Sequence, residues 1–185
     1  MKEMCQVDDA LLYIRQGKII AYPTEAVYGL GCDPFNQQAV KDLLALKQRP
    51  ESNGFILLIA NWSQLTPLIS GISEHQLHAV RQTWPGPVTW VFPKASGIPA
   101  WLTGSHHGIA IRMSAHPVAH ALCANGPVIS TSANIHGQLP AMNINALQAQ
   151  FPTALDAVVM GELGQMAGPC GIYDSCTGAC LRKPI

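Results

Sequence analysis

Six consecutive residues, Phe55-Ile56-Leu57-Leu58-Ile59-Ala60, form the most apolar run of the chain, and polar residues do not alternate through it. A strand of this kind needs cover on both faces, so the run predicts the centre of a sheet. Four further segments read as strands: Lys18–Tyr22, closed by Pro23; Val88–Phe92, alternating until Pro93; Ile109–Met113; and Asp156–Met160. Helical spacing appears between them. Asp8 and Asp9 open a helix that Gly17 ends, and Asn36 can cap a helix over 37–47 whose core face is Val40, Leu43, Leu44 and Leu46. Ser73 and Glu74 introduce a helix over 73–83, Ser114 to Pro117 start another, and Asn143 or Asn145 caps a last one that runs to Phe151. Trp84-Pro85-Gly86-Pro87 predicts a rigid turn, 161–168 a flexible loop, and 172–174 with 179–182 a closing hairpin. Strands alternating with helices predict one α/β domain over residues 1–185.

The polarity pattern breaks most sharply after Gly126-Pro127-Val128-Ile129, where Ser130-Thr131-Ser132-Ala133-Asn134 follows directly. An apolar run that ends in hydroxyls and an amide reads either as a polar turn or as a buried strand opening into a crevice, where open α/β sheets bind ligands. Thr24 to Asp33 reads as a loop with close backbone approach at its glycines. It either packs on the core or turns Thr24 and Tyr28 towards a ligand in the same crevice. In Lys47-Gln48-Arg49-Pro50 two cations meet a helix end. They complement the helix dipole or reach forward to phosphates. Arg112 interrupts an apolar strand, which calls for a buried carboxylate or a bound anion beside it. Thr89 either lines the pocket or simply suits its strand, and His106 and His107 sit in a Gly-rich loop as titratable or merely solvated groups.

Composition narrows the function classes. Charged residues are only 12% of 185, and 11 Lys and Arg balance 11 Asp and Glu. Net neutrality argues against a protein whose main work is electrostatic grip on nucleic acid. No apolar run reaches the roughly 18–20 residues of a membrane span, and Met1-Lys2-Glu3-Met4-Cys5 has no apolar segment behind it, so a cytoplasmic protein is expected. Six scattered cysteines without a Cys-x-x-Cys pair predict reduced thiols and no metal site.

Taken together and in order, Ala21-Tyr22-Pro23-Thr24-Glu25-Ala26-Val27-Tyr28-Gly29-Leu30-Gly31, Lys47-Gln48-Arg49-Pro50, Trp84-Pro85-Gly86-Pro87-Val88-Thr89, Ala110-Ile111-Arg112 and Ser130-Thr131-Ser132-Ala133-Asn134 resemble the YrdC/TsaC family of threonylcarbamoyl-AMP synthases. The resemblance runs from about residue 8 to residue 182 and is to the short bacterial form. It implies a twisted, mostly mixed sheet with helices on both sides and an open central cavity of the YrdC/RibB type. It also implies a reaction: L-threonine, bicarbonate and ATP give L-threonylcarbamoyl-adenylate and pyrophosphate, for the t6A base of tRNA. By the same resemblance Lys47 and Arg49 are the catalytic candidates. Lys47, Arg49, Thr89, Ser132 and Asn134 are expected to bind nucleotide, and Thr24, Tyr28, Arg112 and Ser130 to bind threonine. Mg²⁺ is expected to come with ATP, held by phosphates and water. Transferase machinery of the TsaD/TsaB/TsaE type is the expected partner, with tRNA or another RNA as a possible one. One departure stands out, Pro169-Cys170-Gly171 where many members have Pro-Ser-Thr. The alternative to a synthase is a non-catalytic RNA- or nucleotide-binding module assisting rRNA or tRNA maturation.

Overall fold

The computed structural model describes residues 4–184; Met1 to Glu3 and Ile185 of the 1–185 span lie outside the described residues. In chain order the elements are β1 (Met4–Cys5), α1 (Val7–Arg15), β2 (Ile20–Pro23), β3 (Tyr28–Gly31), α2 (Gln37–Lys47), β4 (Ile56–Ile59), α3 (Trp62–Leu65), α4 (Glu74–Thr83), β5 (Val88–Pro93), α5 (Ala100–Thr103), β6 (Gly108–Met113), α6 (Pro117–Leu122), β7 (Val128–Ser132), α7 (Ile144–Gln150), β8 (Ala157–Val159), β9 (Gly171–Asp174) and β10 (Cys180–Arg182). The strands form one ten-stranded sheet in the order β1-β8-β2-β3-β7-β4-β6-β5-β9-β10. Pairing is mixed: β4 runs parallel to β6, and β7 is antiparallel to both β3 and β4. This is the α/β class that the alternation of strands and helices predicts.

Both faces of the sheet are covered, as the apolar run of β4 requires. Leu57 and Ile59 join one core with Val40, Leu43 and Leu44 of α2, while Leu58 between them joins a second core with Ile14 of α1 and Ala119 and Leu122 of α6. The split follows the two-residue period of a strand. Each such Leu or Ile taken from water stabilises the fold by roughly 1.5–3 kcal/mol. Asn36 caps α2 by accepting from the amides of Gln38 and Ala39, and Asn143 caps α7 through the amide of Ala146.

Two readings of the sequence are corrected. Residues 28–31 are strand β3 rather than loop, and Pro23 ends β2 by pairing with Tyr28 instead of closing the strand before it. Glycine disfavours strands, yet Gly31 is needed in this one: a Cβ there would lie 2.6 Å from the Ile129 carbonyl and 2.9 Å from the Tyr22 ring. The first helix stops where the sequence puts its stop: Gln16 is the C-cap and Gly17 follows at φ 75°, with the Lys18 amide donating to the Tyr13 carbonyl. Strand β1 and the short helices α3 and α5 have too few residues to show a period.

Candidate active site

The same period that divides the core opens a cavity. Leu58 of β4 and Val128 of β7 lie under α6 in the second core. Further along the same face come Ile56, Ser130 and Ser132, which face a cavity of about 550 Å³ instead of a helix. On β6 the positions of that face are Gly108, Ala110 and Arg112, and on β5 the lining residue is Val91. Two small residues on β6 leave the room. Thr24, Tyr28 and Gly29 close one side, Arg49, Asn53, Gly54 and Phe55 another, and Pro169, Cys170, Leu181 and Arg182 of the C-terminal hairpin region a third.

Register fixes how the charges are spaced. Ile56 pairs with Ser130 on one side and Ala110 on the other, so these three residues form one row across the sheet, extended to Val91. Leu58 and Arg112 form the next row in one direction. Continuing the register in the other direction aligns Gly54, Gly108 and Ser132, where Arg49 donates to the Gly54 carbonyl at 3.0 Å. Arg112 and Arg49 thus stand at opposite ends of one cavity. Four residues of strand separate the two rows, about 13 Å at roughly 3.3 Å each.

At the Arg112 end the guanidinium, 6% exposed, donates from Nη1 to the Cys170 Sγ at 2.6 Å and pairs through Nη2 with Glu25 Oε2 at 3.4 Å. The carboxylate that a buried arginine calls for is therefore present at Nη2, a thiol sits at Nη1, and Nε remains without a partner. Glu25 Oε1 accepts from the Ser114 hydroxyl at 2.6 Å. Burial pushes the Cys170 thiol above its usual range, so it sits beside the cation as a neutral thiol. Thr24 donates its hydroxyl to the Val27 carbonyl at 2.7 Å, which shapes the turn at the head of β3. Ser130 lines the cavity and meets the Tyr22 hydroxyl beneath it, and burial pushes that phenol far above its usual range.

At the other end Arg49 lies 5.6 Å over the Phe55 ring and its Nε is buried without a partner. Gln48, left-handed at φ 49°, ends α2 and lets the chain turn Arg49 inward. Neither Arg49 nor Arg182 has a carboxylate within salt-bridge distance among the described residues. The cavity therefore presents cation to whatever enters it.

Lys47 does not reach forward to the cavity. Its side chain is 2% exposed, and Nζ donates to the carbonyls of Ser132 and Asn134, while its own carbonyl accepts from the His136 amide at 2.8 Å. Burial, helped by the Arg49 charge, pulls its pKa down to about 7. Lys47 fastens the Ser132–Asn134 loop from behind. Asn134 also turns away: Oδ1 accepts from Ser132 Oγ, and Nδ2 donates to the carbonyls of Ile135 and Gln138. Thr89 is fully buried with its hydroxyl unpartnered, and it does not line the cavity. Of the nine site residues expected from the sequence, Thr24, Tyr28, Arg49, Arg112, Ser130 and Ser132 surround one space. Lys47, Asn134 and Thr89 stand behind its wall.

The Sua5/YciO/YrdC family model, described as "Telomere recombination", matches residues 12–180. The chain belongs to this family. It is 48% identical to a threonylcarbamoyl-AMP synthase of Coxiella burnetii over 178 residues, 95% of this chain and 96% of that one. It is likewise 48% identical to a threonylcarbamoyl-AMP synthase of Cellvibrio japonicus over 179 residues, 96% and 95% of the two chains. A solved structure, P. abyssi Sua5 complexed with L-threonine, matches with a TM-score of 0.90 at 31% identity, over 100% of this chain and 56% of the Sua5 chain. This Sua5/YrdC chain thus spans little more than half of that longer relative. E. coli YciO, at 22% identity and a TM-score of 0.85, shares the fold.

Three residues at the Sua5/YrdC site are not singled out from the sequence: Asn53 and Arg182, which line the cavity, and Glu25, which stands behind Arg112. Glu25 carried a signal, an acid between apolar neighbours in a chain with few charges, which answers the search for a partner to Arg112. Asn53 and Arg182 carried none, because their places depend on the turn after α2 and on β9 and β10 folding back onto β5.

Proposed function

We propose that this protein is a threonylcarbamoyl-AMP synthase, a nucleotidyltransferase that builds L-threonylcarbamoyl-adenylate and releases pyrophosphate. One observation carries the reading: a single cavity with an arginine at each end, each with an unpartnered buried Nε. The Arg112 end, with Thr24, Ser130 and Cys170, suits the carboxylate and hydroxyl of a small amino acid. The Arg49 end, with Asn53, Ser132 and Arg182, suits the phosphates of ATP. Relatives named for this activity at 48% identity along nearly the whole chain, and a relative complexed with L-threonine, support the same assignment.

In this reading the threonine amine and bicarbonate give a carbamate with loss of water. A carbamate oxygen then attacks the α-phosphorus, the bond from phosphorus to the bridging oxygen of the β-phosphate breaks, and pyrophosphate leaves. Both reactants are anions, so the protein's part is to hold them in line and to stabilise the charge that accumulates between them. Arg49 and Ser132 do this from the cavity wall, and Lys47 does it indirectly by fixing Ser132. Mg²⁺ would neutralise phosphate charge when bound with ATP. Among the described residues there is no cluster of His, Cys, Asp or Glu that could hold a metal, and Glu25 is engaged by Arg112 and Ser114, so phosphates and water would hold the ion.

The product would pass to a transferase of the TsaD/TsaB/TsaE type for t6A formation, a step that rests on the family alone. The RNA-binding alternative draws no support from the relatives' names or from the zero net charge. No described helix is long and apolar enough to cross a membrane, and a cytoplasmic setting fits the proposed chemistry. Incubation with ATP, Mg²⁺, L-threonine and ¹³C-bicarbonate, followed by mass spectrometry, tests the proposal. The label should appear in an adenylate that also contains threonine; label confined to free bicarbonate would refute it.

A further inference from the structure

Glu25 does not line the cavity, yet Arg112, Ser114 and the 161–168 segment are all tied to it. Its Oε2 pairs with Arg112 at 3.4 Å and its Oε1 accepts from Ser114 at 2.6 Å. Its backbone carbonyl accepts from the Met166 amide at 3.0 Å, while the neighbouring Thr24 carbonyl accepts from Gly164 at 2.9 Å. Gly164 lies so close that a Cβ would come within 2.5 Å of the Glu25 carbonyl oxygen. Residues 161–168 are thus strapped onto the Thr24–Glu25 turn, and the strap leads directly to Cys170, the other partner of Arg112. The guanidinium is held from two sides, and its Nε is the group left over.

We infer that Glu25 is a positioning residue for L-threonine: it orients Arg112 so that the guanidinium, on the cavity wall, meets the substrate carboxylate. The inference rests on the synthase reading. A buried carboxylate beside an anion site also subtracts attraction, so the two effects of Glu25 oppose each other. Orientation wins at this site because Arg112 is buried and hydrogen-bonded on both flanks, and a buried cation that loses its partner turns to find another. The charge of Glu25 therefore costs some affinity and its geometry gives back more.

The test compares steady-state constants of wild type, Glu25→Gln, Arg112→Ala and the double variant, with L-threonine and ATP varied separately. Glu25→Gln should raise KM for threonine at least about tenfold, the usual scale for removing one partner of a buried charge pair, with kcat and the ATP KM within about twofold. In the Arg112→Ala background the same substitution should change nothing further, because Glu25 acts through Arg112. If Glu25→Gln fails to fold, Ser114→Ala, which removes the hydrogen bond on Oε1, should show the same threonine-only pattern at smaller size. An unchanged or lowered threonine KM, a parallel rise in both KM values, or multiplying effects in the double variant would overturn the assignment while leaving the synthase reading intact. A wild type without threonine-dependent turnover would instead remove the reading on which it rests.

Discussion

Arg49 and Lys47 stand two residues apart in sequence and do different work. Arg49 lines the cavity with no carboxylate beside it among the described residues, so Arg49→Ala should lower adenylate formation by about 100-fold or more, the scale seen for losing one preorganised donor at developing charge. Circular dichroism of the variant should match wild type; full activity would remove Arg49 from the mechanism. Lys47 is engaged by two carbonyls behind the wall, so Lys47→Met should weaken nucleotide binding and also lower the melting temperature. Its titration adds a sign. The folded-state pKa is depressed, from 10.5 to about 7, so between those values the unfolded chain binds the extra proton and stability rises with pH. The melting temperature of wild type should therefore gain on that of Lys47→Met as pH increases from about 7 towards 10; an unchanged difference would show that burial does not depress this lysine. Cys170 places its sulfur against Arg112, and Cys170→Ser should keep activity within about threefold because a hydroxyl can accept the same bond. A loss of tenfold or more would mark the thiol itself as required.

At the level of elements, β7 is the piece that joins the two halves of the sheet, pairing with β4 through Val128–Ser130 and with β3 through Thr131 and Ser132. The β3–β7 seam depends on Gly31, where a Cβ would strike the Ile129 carbonyl. Gly31→Ala should destabilise the protein by about 1–3 kcal/mol, the range for overpacking a tight site, measured by urea unfolding; a neutral result would mean that β3 relaxes away from β7. Gly29 and Gly31 also explain what the local pattern does not make legible. The central strand, α2 with its Asn36 cap, α4 and the closing hairpin follow from local pattern and appear where it puts them. Strand β3 does not, because its residues are selected by close backbone approach, a tertiary demand that overrides strand propensity. The site divides likewise. Arg112 advertised itself as a lone charge in an apolar strand, and its dilemma between carboxylate and anion is resolved by Glu25 on one flank with Nε left over. Lys47 misled because a cation near a crevice looks the same in sequence whether it faces the ligand or braces the loop that does.

The whole molecule places two arginine poles roughly four strand residues apart in one cavity, Arg112 buried and Arg49 half-buried. Binding at both poles should stabilise the native state, by about 2.7 kcal/mol for a ligand at 100 times its dissociation constant, and the increments from ATP and L-threonine should add or exceed additivity. Mutual exclusion of the two in thermal shift experiments would mean that they share one pole. The most direct measurement is pyrophosphate release by the purified protein with ATP and Mg²⁺ while L-threonine and bicarbonate are omitted singly and together. The account predicts release only when both are present. Release that persists without threonine, or none under any combination, would contradict it.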